Sequence, residues 1–328
     1  MGQEFRGRCG PLLAESLSHN ERKRELFGAD TFYQESWEQL SELTDDPQGF
    51  AFRHGLLLLK PDAVVARQLL ITLDWLARSG FTVVASSKVT LTPAVVRSLW
   101  YFQWNLATVH RRRIVDLLVS TVPALLLVIR KDGGSALPVS TLLTELKGPT
   151  DPDCREPGQL RYELGRFSFL LNLVHTADEP ADVIRELGVH LDYPARGELL
   201  RQVLYGEDGT QHARALADEL YAVAPARDLA FEPAVARVRA EAGRLADSGK
   251  LTAAARADLV DALAAPGHEG LCELLSAAWR HGLALAPWDV AVVGSSVFPM
   301  KNKAYEPVID AVTAADWQPF APSTAAIS

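Results

Sequence analysis

An α+β fold, with helices laid on one sheet, is predicted over residues 55–187 by three observations. Apolar runs consistent with buried strands occur at HGLLLLK (54–60), FTVVASSKVTL (81–91), ALLLVIR (124–130) and within FSFLLNLVH (167–175). Stretches of helical spacing separate them, and Lys60-Pro61-Asp62, Gly80 and Thr92-Pro93 punctuate the changes. The resulting order is β-α-β-α-α-β-α-β-α.

Element by element, residues 1–52 are polar and mixed in charge, with Phe32, Tyr33 and Trp37 placed to pin a short helix onto the body. After the first strand, Val65, Leu69, Leu73 and Leu76 mark one helix over 63–79, which Gly80 closes. Thr92-Pro93 opens a helical region through the aromatic cluster Trp100, Tyr101, Phe102 and Trp104, followed by the basic run His110-Arg111-Arg112-Arg113 and a helix to about Ser120. A helix is expected at 137–147, a proline-rich acidic loop at 149–157, and a short helix from Pro180 to Leu187. From about 190 the texture turns to Ala, Arg, Leu and Glu, with helices expected near 211–224, 231–248, 252–264 and 268–283. DVAVVGSSVF (289–298) reads as one more strand, 304–317 as another helix, and the tail from Pro319 as loose. The expected organisation is an N-terminal extension (1–53), a domain at 54–188, a mostly helical region at 189–318 and a tail at 319–328.

The chain has 328 residues, 48% hydrophobic and 23% charged, ample for a sizeable core. A net charge of -8 argues against nucleic acid or an anionic membrane as the main partner. The 3 cysteines, Cys9, Cys154 and Cys272, suggest neither a disulfide framework nor a zinc knuckle. With no apolar signal core and no membrane-length run, a reducing cytoplasm is the expected location.

The chemistry concentrates between Gly148 and Leu187: GPTDP (148–152), PGQLRYELG (157–165), NLVHTAD (172–178) and ADVIREL (181–187). Thr150, Arg161 and Asn172 form a candidate phosphate pocket beside His175, the side chain best suited to accept and pass on a phosphoryl group near neutral pH. The remaining histidines show no ligand-like spacing, and the chain has no GxxxxGK[ST], which excludes a P-loop kinase.

These segments, with LLLLKPDAV (56–64), GF-V (80–83), VPALLLVI (122–129) and Glu186, resemble the nucleoside diphosphate kinase family in order and spacing over residues 54–188. The resemblance implies a ferredoxin-like (βαββαβ) sandwich with an added, mostly α-helical C-terminal region. It also implies ping-pong transfer of the γ-phosphate of ATP or another nucleoside triphosphate to His175, then to a nucleotide or small-molecule acceptor. Mg²⁺ would be carried by the nucleotide phosphates, with no protein metal ligands. By position, Glu186 would hold the other ring nitrogen of His175, and Lys60 and Arg161 would neutralise the moving phosphoryl group. Thr150 would bind a phosphate oxygen, Asn172 the ribose or phosphate end, and Tyr101 would match the tyrosine beside the histidine. Homo-oligomers are common in the family.

The sequence departs from the family pattern at several places. The family's phosphate arginine falls at Thr144, its base-stacking aromatic near Val109, His110 and Arg111, a glycine at Tyr162 and a serine at Ala177. Arg111 to Arg113 are candidates to replace the lost arginine. Three functions follow: a phosphotransferase with a narrowed acceptor, a general nucleoside diphosphate kinase with extensions, or a nucleotide-binding scaffold or regulatory module that has lost turnover.

Overall fold

The computed structural model describes residues 13–165, 167–206 and 208–317. Residues 1–12 with Cys9, and the tail from 318 onward, lie outside them. Four strands form one antiparallel sheet in the order β2-β3-β1-β4: β1 (His54–Leu59), β2 (Phe81–Val89), β3 (Ala124–Lys131) and β4 (Val174–Thr176). Helices α1 (Glu21–Gly28), α2 (Thr31–Leu43) and α3 (Pro47–Arg53) precede β1. Helices α4 (Pro61–Val65) and α5 (Leu69–Arg78) join β1 to β2, and α6 (Pro93–Leu99) and α7 (Val109–Leu118) join β2 to β3. Then α8 (Val139–Lys147) and α9 (Leu160–Glu163) lead into β4, and α10 (Pro180–His190) leaves it. This is the expected ferredoxin-like α+β arrangement, in which both neighbours of β1 arrive from later in the chain.

Beyond it run α11 (Tyr193–Tyr205), α12 (Thr210–Val223), α13 (Phe231–Asp247), α14 (Ala253–Ala264), α15 (Gly267–Arg280) and α16 (Pro287–Val297). The leucine run of β1 is unbroken because both sheet faces are covered. Leu57 and Leu59 enter a core shared with α5 and α12–α16, whereas Leu56 and Leu58 enter one shared with α2, α10 and α11. Helices α1–α3 and α11 therefore cover one face of the sheet, and α12–α16 cover the other.

Several expectations require correction. The single helix over 63–79 is two, broken at Arg67, whose φ is 61°. A left-handed arginine is unfavourable, by on the order of 1 kcal/mol or more. Its guanidinium donates to the carbonyls of Tyr221 (3.0 Å) and Ala224 (2.7 Å) and lies over the Tyr221 ring, so the break is fixed by α12, far away in sequence. Residues 289–298 form helix α16, not a strand. Trp288 to Ser295 are buried in succession, which hides the helical period, and Gly294 lets α16 approach Ile114 of α7. Residues 304–317 hold only a 3₁₀ turn at Ala314–Trp317. The helix before the aromatic cluster ends at Leu99, and α11, capped by the Asp192 side chain on the Ala195 N–H, is an addition to the expected set.

The segment from Pro299 onward is a strap along residues 102–108. Thr108 Oγ1 donates to Pro299 O (2.6 Å), Asn302 N to Leu106 O (2.7 Å), Asn105 Nδ2 to Glu306 O (2.8 Å) and Val308 N to Phe102 O (3.1 Å). No helix among the described residues is long and apolar enough to cross a membrane.

Candidate active site

Strand β4 is only three residues long, and the loop before it sets its register. Leu173 has a φ of 69°, its N–H donates to Asp62 Oδ2 (3.0 Å), and its carbonyl accepts from Lys60 N (2.9 Å). This clamp pairs His175 with Leu58 on β1. Across from it, Pro180 and the Glu179–Asp182 capping box start α10, which carries Glu186 back past the strand.

His175 Nε2 lies 3.0 and 3.1 Å from the two Glu186 carboxylate oxygens. A carboxylate only accepts, so Nε2 carries the hydrogen, and Nδ1 is the nitrogen with a lone pair available to the cleft. The edge of Trp100 meets the imidazole with 5.2 Å between ring centroids at 75°. That contact and the paired carboxylate fix the ring from two directions.

The cleft, about 750 Å³, is lined by His175, Lys60, Thr150, Arg161 and Asn172. Thr150, Arg161 and Asn172 are brought together as the sequence suggested, and the arginine is their hub. Its guanidinium donates to Gly148 O (3.1 Å), Thr150 Oγ1 (3.2 Å), Asn172 Oδ1 (3.4 Å) and Val174 O (2.7 Å). Burial, then the neighbouring Arg155, pushes Arg161 down to about 10. Lys60 Nζ donates to Leu170 O (3.2 Å) and pairs with Asp62 at 3.3 Å. Burial lowers its pKa, and Asp62 offsets part of that.

Tyr101 is not brought to the site. It is 66% exposed and lies against Phe102, while its neighbour Trp100 faces His175. His110 stacks on Phe298 at 4.0 Å, away from the cleft. Of the basic run only Arg111 lines the cleft; Arg112 binds Ala107 O and Arg113 lies over Trp279. Arg111 is held over Trp104 and Phe169, and burial lowers its pKa. Thr144 hydrogen-bonds Thr176 Oγ1 (2.7 Å) and Asp178 Oδ1 (3.2 Å). Lys147 and Asp178 also line the cleft, although neither stood out in the sequence: a lysine in the last turn of a helix has the pattern of a solvated end. The strap adds Lys301, Pro307 and Ile309 to the wall, and α16 adds Trp288.

The residues around this histidine cleft coincide with a described protein family. A family model for "Nucleoside diphosphate kinase" matches residues 53–194. A nucleoside diphosphate kinase of Geotalea daltonii is 31% identical over 134 residues, which cover 40% of this chain and 88% of that protein. One of Geotalea uraniireducens is 30% identical over the same length and the same shares. Among solved structures, a nucleoside diphosphate kinase of Aquifex aeolicus aligns at 21% identity with a TM-score of 0.37, covering 44% of this chain and 97% of its own. One of Borrelia burgdorferi, a transition-state mimic with vanadate and ADP, aligns at 18% identity and a TM-score of 0.38, with 44% and 89% covered. The chain belongs to the nucleoside diphosphate kinase family.

Proposed function

We propose that this chain is a phosphotransferase that moves the γ-phosphoryl group of a nucleoside triphosphate through His175 to a nucleotide or related small-molecule acceptor. The observation that carries it is the Glu186 carboxylate holding Nε2, which leaves Nδ1 as the nucleophile toward a cleft with Lys60 and Arg161. The Nδ1 lone pair attacks the γ-phosphorus, the bond from phosphorus to the β,γ-bridging oxygen breaks, and the diphosphate leaves with that electron pair. An acceptor phosphate oxygen then attacks the same phosphorus, and the P–N electron pair returns to Nδ1. Nε2 keeps its hydrogen throughout, and Glu186 stabilises the positive charge that the ring carries as the phosphohistidine forms. Lys60 and Arg161 neutralise the transferring oxygens, while Thr150 and Asn172 orient the arginine.

Mg²⁺ fits as an ion carried by the phosphates, whose charge it would neutralise. Its oxygen donors would come mainly from phosphates and water. The strap and Trp288 add walls to the cleft from outside the family-matched segment, which favours a restricted acceptor over broad exchange. A homo-oligomer of this chain would leave part of strand β2 already engaged, since Gly209 N donates to Val83 O (2.7 Å). A cytoplasmic location accords with the nucleotide chemistry.

The test is exchange: the full chain with Mg-ATP and a panel of nucleoside diphosphates and phosphorylated metabolites, read as product nucleotide. Transfer to one or a few acceptors is expected. Efficient exchange across all diphosphates would replace the narrowed reading with a general kinase. Thr144, lacking the family's charge, favours a binding scaffold; calorimetric nucleotide binding with no transfer to any acceptor would establish that instead. Trp100→Ala is expected to lower turnover roughly 10- to 100-fold, because a loosened imidazole leaves attack geometry, with a small change in nucleotide affinity. Unchanged kcat would show that Glu186 alone fixes the ring.

A further inference from the structure

Two lysines of this chain are buried to the same depth and held in opposite ways. The side chains of Lys23 and Lys147 each keep 8% of their surface exposed. Lys23 Nζ lies 2.8 Å from Glu179 and 2.7 Å from Asp182. Burial works against its charge, but Asp182, Glu179 and Asp178 outweigh that and raise its pKa. Lys147 Nζ donates to the Thr176 hydroxyl at 2.5 Å, and the carboxylate paired with it, Asp178, is 3.9 Å away. Here burial prevails over the attraction of Asp178, Glu186 and Glu145, Arg161 adds repulsion, and the ammonium is pushed down to about 8.

A buried cation short of negative charge is unfavourable for folding. This one faces the cleft, where an anionic ligand can supply what the protein does not. Its hydroxyl partner, Thr176, directly follows His175 on β4. Thr144 binds the same hydroxyl from three residues earlier on α8, so positions 144 and 147 present one helix face to one point beside the histidine.

We propose that Lys147 is a phosphate-binding residue of the cleft, its ammonium donating to a phosphate oxygen of the bound nucleotide at the place that Thr144 leaves uncharged. This rests on the phosphotransferase reading above. At neutral pH the ammonium is protonated and cationic when the ligand arrives. Asp178, paired with it at 3.9 Å, orients it without a direct hydrogen bond. With Lys60 and Arg161 it gives the His175 cleft cations from three different stretches of the chain.

The test titrates Mg-ADP calorimetrically into the full chain, Lys147→Met, Lys147→Arg, and the double variant Thr144→Arg/Lys147→Met. Methionine keeps the length of the stem and removes a charge whose burial is unfavourable, so the melting temperature is expected to hold. Binding to Lys147→Met is expected to weaken about 10- to 100-fold, the scale of one charged hydrogen bond. Lys147→Arg should stay within a few-fold of wild type, and the arginine at 144 should restore most of the loss in the double variant. A folded Lys147→Met that binds as tightly as wild type would overturn the proposal, and so would loss that no relocated charge rescues. Should Lys147→Met fail to fold, brief acetylation of the wild-type protein, read by peptide mass, answers the same question. Mg-ADP should shield Lys147 several-fold and leave the exposed Lys303 unaffected; equal labelling of Lys147 with and without it would refute the assignment. Wild-type protein that binds no nucleotide removes the phosphotransferase reading itself, whereas nucleotide binding indifferent to Lys147 removes only this assignment.

Discussion

His175→Ala is expected to lower phosphoryl transfer by roughly 10⁴-fold or more, the scale set by deleting a covalent nucleophile. The side chain keeps 15% of its surface exposed and its one strong partner is Glu186, so the fold should survive with a melting temperature within a few degrees of wild type. Glu186→Ala should be milder, on the order of 10²-fold, because the nucleophile remains while its tautomer and orientation are freed. Steady-state transfer assays on the three proteins separate these outcomes. Equal losses in both variants would mean that the carboxylate does more than hold the ring. Transfer that survives His175→Ala would move the chemistry to another residue.

Glu179→Ala is expected to be the most damaging single change to stability. Glu179 has no exposed surface, caps α10, and gathers four donors: the Ser18 hydroxyl (2.7 Å), the His19 N–H (3.0 Å), the Trp317 indole (3.2 Å) and the Lys23 ammonium (2.8 Å). Ser18, His19 and Lys23 come from before the sheet and Trp317 from the end of the described chain, so one carboxylate ties both additions to the helix that carries Glu186. Removing it takes one of the two direct carboxylate partners from the buried Lys23 and strips the cap, a loss of about 3–5 kcal/mol. In a chain of this size that corresponds to a fall of roughly 4–7 °C in melting temperature. Glu179→Gln, which keeps an acceptor oxygen, should fall between the two. A melting curve unchanged by Glu179→Ala would show that the additions are held mainly by apolar packing.

What was legible in the sequence follows from how locally it is encoded. The four strands stood out because each is a short apolar run with a turn beside it. His175 and the Thr150–Arg161–Asn172 cluster stood out because their spacing lies within one stretch of about forty residues, whereas Glu186 was singled out only by its register in the family resemblance. Features made by distant packing were hidden. The break at Arg67 depends on α12, and the helix at 287–297 is masked by its unbroken buried run from Trp288 to Ser295. Trp100, not Tyr101, meets His175 because the helix stops at Leu99, one turn before the aromatic run suggests. Lys147 was invisible for a similar reason: only the fold around Thr176 turns a helix-end lysine into a buried cation.

The most direct measurement is to mix the full chain briefly with γ-labelled ATP and Mg²⁺, denature it, and locate the label by peptide mass and by phosphorus NMR. The expected result is an acid-labile, base-stable phosphoryl group on Nδ1 of His175, absent from His175→Ala. Label on Nε2 or on another residue would contradict the assignment of Glu186. With other nucleoside triphosphates also tried, a chain that binds them and takes no label would be a binding module, not a phosphotransferase.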